Sequence, residues 1–74
     1  MSYNERYVAY ANYNNKTPEE MLVYDRELYP GGHMAGFMVW VNENIRKFRK
    51  EKPQAFIGST LVDHVAFTAF LKGE

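Results

Sequence analysis

The chain contains no cysteine. That absence removes disulfides, iron–sulfur clusters and thiolate metal sites together. Histidine is nearly as scarce: His33 and His64 stand far apart in the chain, and two lone histidines do not make a structural zinc site. An excess of charge of one sign is also missing. Nine Lys and Arg balance nine Asp and Glu, so the chain as a whole has no net field to draw it onto nucleic acid or a membrane surface. No apolar run approaches the roughly 18 residues of a membrane span. The opening Met1-Ser2-Tyr3-Asn4-Glu5 has no signal-peptide pattern. A reducing cytoplasm is the expected setting.

The 74 residues are expected to form one helical domain, 1–74. A chain this short buries only about 60–65% of the surface its unfolded form exposes. With disulfides and metal removed, self-association is the remaining source of added stability. The aromatic content of 16%, with six Tyr, five Phe and one Trp, suits a chain that buries surface against a second copy.

Four helical segments are expected, giving an all-α bundle. Ser2 and Glu5 have capping-box spacing, so a first helix can start at Tyr3, present Tyr3, Tyr7, Tyr10 and Ala11 on one face, and end at Asn14-Asn15. Thr17-Pro18-Glu19-Glu20 combines an N-cap Thr, Pro at the first helical position and Glu three residues after the cap. The second helix should run from about 18 to 29 and stop at Pro30-Gly31-Gly32. A third helix from about 33 to 51 carries the stripe Met34, Phe37, Met38, Val41, Ile45 and Phe48, and ends at Pro53. Its first half is apolar nearly all round, which places it at a bundle centre or a subunit interface. Phe56 and Ile57 are expected to tuck into the core. Ser59 or Thr60 should cap a last helix reaching Lys72, with Gly73 as its stop, although Val65 to Leu71 also suits a strand.

Candidate binding residues follow from side chains that fall off these stripes. Trp40 lies well round from the Met34–Phe48 stripe, with Gly36 one turn before it. It is either buried between helices, Gly36 allowing the close approach, or an exposed interface anchor. In the last helix Leu61, Val62, Val65, Ala66 and Ala69 share one face, while Phe67 and Leu71 lie on another. Two helices that are apolar on two sides exceed what so small a monomer buries, which points to a partner or a second copy. Arg46, Lys47, Arg49, Lys50 and Lys52 concentrate positive charge at the end of the third helix, where the helix dipole favours it. Arg46, Arg49 and Lys50 share one outer side. They are either a solvated helix end or an electrostatic footprint for an acidic protein or nucleic acid. Trp40, Phe67, Leu71, Arg46, Arg49 and Lys50 form the expected partner-binding set.

Asp25 sits among Met21, Leu22, Leu28 and Tyr29 on the apolar face of the second helix. Burial there demands a partner, and a Tyr hydroxyl, a backbone amide or an Arg would serve; the alternative is a ligand-binding or catalytic acid. Gly31-Gly32-His33 leads into a helix N-terminus, where backbone amides can hold an anion. Without phosphate-loop spacing or a preceding strand, a plain turn is favoured over a candidate anion site of Gly31, Gly32, His33 and Asp25. No nucleophile–base–orienter pattern and no metal-ligand spacing is present, and Asp63-His64 adjacency is not a dyad. No cofactor and no metal are expected.

In length, Tyr/Asn-rich opening and lack of cysteine, the chain resembles small accessory proteins of tailed phages. That resemblance, one of general character, implies action by binding and blocking a host protein. The expected function is therefore non-catalytic protein–protein binding by a self-associating helical protein. A nucleic-acid-associated regulator and an oligomeric binder of a small phosphorylated ligand are the alternatives.

Overall fold

The computed structural model describes residues 3–32 and 34–74. The chain folds as α1 (Glu5–Tyr13), α2 (Pro18–Leu28), α3 (Ala35–Glu51), a 3-10 turn (Pro53–Ala55), an antiparallel pair β1 (Phe56–Ile57) and β2 (Thr60–Leu61), and α4 (His64–Leu71). The protein is thus mostly helical, as expected, with a small two-stranded hairpin that an all-α reading does not include.

Helix α1 begins two residues later than the sequence pattern predicts. Asn4 caps it, its Oδ1 accepting from the Arg6 amide at 2.8 Å; the expected cap Ser2 lies outside the described residues. The helix closes at Asn14, and Asn15 takes the left-handed conformation at φ 58°. The Lys16 amide then donates to the Ala11 carbonyl and the Asn15 amide to that of Asn12, the two bonds of a Schellman motif. Helix α4 ends the same way: Glu74 donates to Ala69 and Gly73 to Phe70.

The start of α2 is as expected. Thr17 Oγ1 accepts from the Glu20 amide at 3.2 Å, and Glu20 Oε1 accepts from the Thr17 amide at 2.9 Å. The bond from the Thr17 backbone holds the Glu20 carboxyl below its ordinary value. Helix α3 starts at Ala35 with Met34 at the cap and no side-chain cap bond; the expected start at His33 lies outside the described residues.

Ser59 and Thr60 do not cap the last helix. Gly58 adopts φ 63° and, with Ser59, forms the two-residue turn joining β1 to β2. A hairpin turn of this length requires positive φ at its first central position, which favours Gly. Asp63 supplies the cap of α4, accepting from the Ala66 amide at 3.1 Å. The pair Phe56↔Leu61 faces the core, whereas the neighbouring pair turns Ile57 outward, where it is 72% exposed. Phe56 therefore tucks in as expected and Ile57 does not, because successive strand residues point to opposite faces.

The apolar surround of α3 leaves a bundle centre or a subunit interface open, and within the molecule α3 packs against α1, α4 and the 3-10 turn. Helix α1 packs against each of the other three helices. The aromatic side chains divide between two ends of the core. Tyr7, Tyr10, Phe37 and Trp40 meet where α1 crosses α3, with ring centroids 5.3–5.7 Å apart. Phe48, Phe56, Phe67 and Phe70 form a second, all-phenylalanine cluster with no polar handle. The molecule is drawn out, 37 × 24 × 19 Å with a radius of gyration of 13.2 Å, against about 11 Å for a compact chain of this length.

Candidate functional site

The structure disperses the expected partner-binding set. Trp40 is buried, its ring 5.4 Å from Tyr10 and 5.8 Å from Tyr13. The buried arc of α3 is rotated toward Trp40, so Met34 and Met38, assigned to the core stripe, are exposed. Phe67 is fully buried against Phe48, with the Arg6 guanidinium 4.9 Å above its ring. Neither residue is a surface anchor. On α4 it is Phe67, with Phe70 and Leu71, that faces inward, and Val65 is 83% exposed. Of the other apolar face, Val62 and Val65 are exposed while Leu61 and Ala66 still pack against the core. Two large rings fill the space against Phe48 better than Val and Ala do.

Leu71 is only partly buried and lines a broad surface concavity. This open groove, about 630 Å³, runs between α1 and the C-terminal end of α4. Val8, Ala9, Asn12 and Tyr13 form one wall, and Leu71 to Glu74 form the other, with Tyr3 at one end. The side of α1 that makes the wall is the one turned away from Asp25. The Schellman turn at Gly73 and Glu74 brings the chain end back across α4 and closes the groove's second wall. Glu5 and Lys72 lie on its rim and bond across it at 2.7 Å. That hydrogen bond and the charge beside it hold the Glu5 carboxyl below, and the Lys72 ammonium above, their ordinary values. Such an exposed pair orients the rim more than it stabilises the fold.

Val8, Ala9, Asn12 and Tyr13 are groove residues that sequence reasoning missed, and Tyr13 is the one that carried a signal. Tyr13 falls outside the Tyr3–Tyr7–Tyr10 face, yet it is aromatic. Arg6 was missed as well. It ties α1 to α4 by donating to Thr68 Oγ1 at 3.3 Å and His64 Nδ1 at 3.0 Å.

Arg46, Arg49 and Lys50 are brought together as expected. All three are exposed and line one surface concavity, which no carboxylate joins. Asp25 and the Gly31-Gly32 turn, by contrast, do not form one site. Asp25 is fully buried and accepts from Tyr7 Oη at 2.9 Å and Tyr10 Oη at 3.2 Å. Gly31 and Gly32 are exposed, with open space around them. His33, the remaining member, lies outside the described residues. Burial, together with the Asp25 carboxylate, pushes the Tyr10 hydroxyl up to about 12 and that of Tyr7 higher still. Both therefore stay protonated and donate to Asp25, which links α1 to α2 as a structural partner of the two tyrosines. Among the described residues, no three His, Asp or Glu side chains converge to hold a metal, and no helix is long and apolar enough to cross a membrane.

Comparison of the chain with family models, curated proteins and solved structures returns no match.

Proposed function

We propose that the protein is a small non-catalytic module that acts by protein–protein contact, with the groove between α1 and the end of α4 as its contact surface. The observation that carries this reading is the groove itself. This concavity of about 630 Å³ is walled by Val8, Tyr13 and Leu71, with the Glu5–Lys72 pair on its rim and Glu74 beside it. Tyrosines presenting an apolar body and a polar tip are the residues that anchor protein interfaces. Blocking of a host protein, as small accessory proteins of tailed phages do, is the specific form of this reading, with the cytoplasm as its setting.

The test is site-specific photo-crosslinking. A photoreactive residue at Tyr13 should form a defined adduct in a host lysate, and Asn12→Arg, which fills the groove with a long cation, should abolish it. Adducts that survive Asn12→Arg, or that form only from a probe on another face such as Glu43, overturn the assignment of this surface.

A second reading is supported by the concavity of Arg46, Arg49 and Lys50, which offers cations to phosphates or to an acidic protein. Net neutrality ranks the acidic protein above nucleic acid. Changing these three residues to Gln should leave the fold intact and flatten the salt dependence of any nucleic-acid binding. A wild type that binds no DNA or RNA at low salt removes the nucleic-acid form.

A further inference from the structure

Helices α2 and α3 carry opposite charge on their solvent faces. The side of α2 turned away from Met21 and Asp25 presents Val23 between Glu19 and Glu27, all exposed, with Glu20 beside them and Arg26 as its one cation. The side of α3 turned away from Trp40, Val41 and Phe48 presents Val39, Arg46 and Lys50, with Arg49 alongside and Glu43 as its only anion. The chain is neutral as a whole, yet anions outnumber cations on the outer side of α2 and cations outnumber anions on that of α3.

Apolar exposure follows the same two helices. Of eleven exposed large apolar or aromatic side chains among the described residues, seven fall between Val23 and Val39. Val23 is 56% exposed and Val39 58%, each near the middle of its helix's solvent face. Single exposed valines need no explanation. A run of seven on one connected segment, flanked by complementary charge, does. The surface agrees in size: the chain exposes 5238 Å², against about 4,700 Å² for a compact monomer of its mass.

We propose that the solvent face of α3 docks on the solvent face of α2 of a second copy of this chain, Arg46, Arg49 and Lys50 pairing with Glu19 and Glu27, and Val39 and Val23 meeting at the contact. A second copy fits because one molecule carries both halves of the match. A pair can then make the contact twice, closing as a two-fold assembly. The groove beside α1 uses neither face and remains open for the function proposed above.

A charge-swap experiment decides it. Sedimentation velocity over a dilution series should show wild-type self-association that weakens about tenfold or more from low to high salt. The triple change Arg46→Glu, Arg49→Glu, Lys50→Glu makes both faces acidic; Glu19→Lys with Glu27→Lys makes both basic. Glu20 is spared because it belongs to the α2 capping box. Each variant alone should be monomeric with unchanged helical circular dichroism, and an equimolar mixture should associate again. A monomeric wild type, salt-independent association, or variants that still self-associate overturn the proposal. Should a reversed variant fail to fold, Arg46→Gln with Arg49→Gln replaces the first. Loss of association in that folded variant supports the contact, and retention overturns it.

Discussion

Replacing Gly36 by alanine tests how tightly the Asp25 cluster is closed. In an ordinary helix that change stabilises by up to about 1 kcal/mol. Here the new methyl would stand 2.7 Å from Tyr10 Oη and 3.2 Å from the Tyr29 ring, and Tyr10 Oη is held by Asp25. The sign should reverse, to a loss of about 1–3 kcal/mol in urea unfolding. Gly32→Ala, in open space, should change stability by less than about 0.5 kcal/mol. Asp25→Ala strands two buried hydroxyls and should cost about 2–5 kcal/mol. Asp25→Asn should cost less, since its amide and carbonyl can each meet one tyrosine. That Asp25 needs a buried partner was legible in its apolar neighbours on α2, and a Tyr hydroxyl was among the partners expected. Which tyrosines was not, because Tyr7 and Tyr10 reach it only once α1 lies against α2. Trp40→Ala should cost about 3–5 kcal/mol and lose helicity at every concentration, as befits a core residue.

At the scale of the element, legibility depended on whether a residue type has one local use or several. Thr17-Pro18-Glu19-Glu20 has one, and the capping box formed as expected. Thr17→Ala should lower stability by about 1 kcal/mol, measured by thermal or urea unfolding. Ser59 and Thr60 have several uses: a serine serves a cap or a turn, a threonine a cap or a strand. The Gly58-Ser59 turn won because Phe56 and Leu61 both gain the core by pairing across it. Asp63, the true cap, was read only as a neighbour of His64. The inward face of α4 was illegible for a different reason. Its sequence, HVAFTAFL, is apolar on almost every side, so periodicity cannot choose a face. The choice is made by Phe48 on another helix. The groove was legible only through Leu71, since its other wall forms where α1 passes the end of α4.

For the molecule as a whole, the arrangement of aromatics sets its response to base. Tyr10 ionises near 12 in the folded chain, above the ordinary value of about 10 that it regains on unfolding. A raised folded value means that its contribution to stability is full below about pH 10 and falls as pH rises toward 12. Tyr7, raised further by burial, acts in the same direction. Alkaline titration should therefore show Tyr7 and Tyr10 ionising only as circular dichroism reports unfolding. Tyr10→Phe should narrow that alkaline loss.

The lone tryptophan gives the protein an optical gauge of its own. Trp40 lies within energy-transfer range of Tyr10 at 5.4 Å and Tyr13 at 5.8 Å, while the phenylalanine cluster at the far end emits almost nothing. Light absorbed by the tyrosines should leave the folded molecule as tryptophan emission, and Tyr13→Phe should visibly reduce that transfer. Because Tyr13 also walls the groove, anything settling there presses on the donor of this pair. Occupancy should therefore register as a change in emission from a residue that no occupant touches, without any label being added.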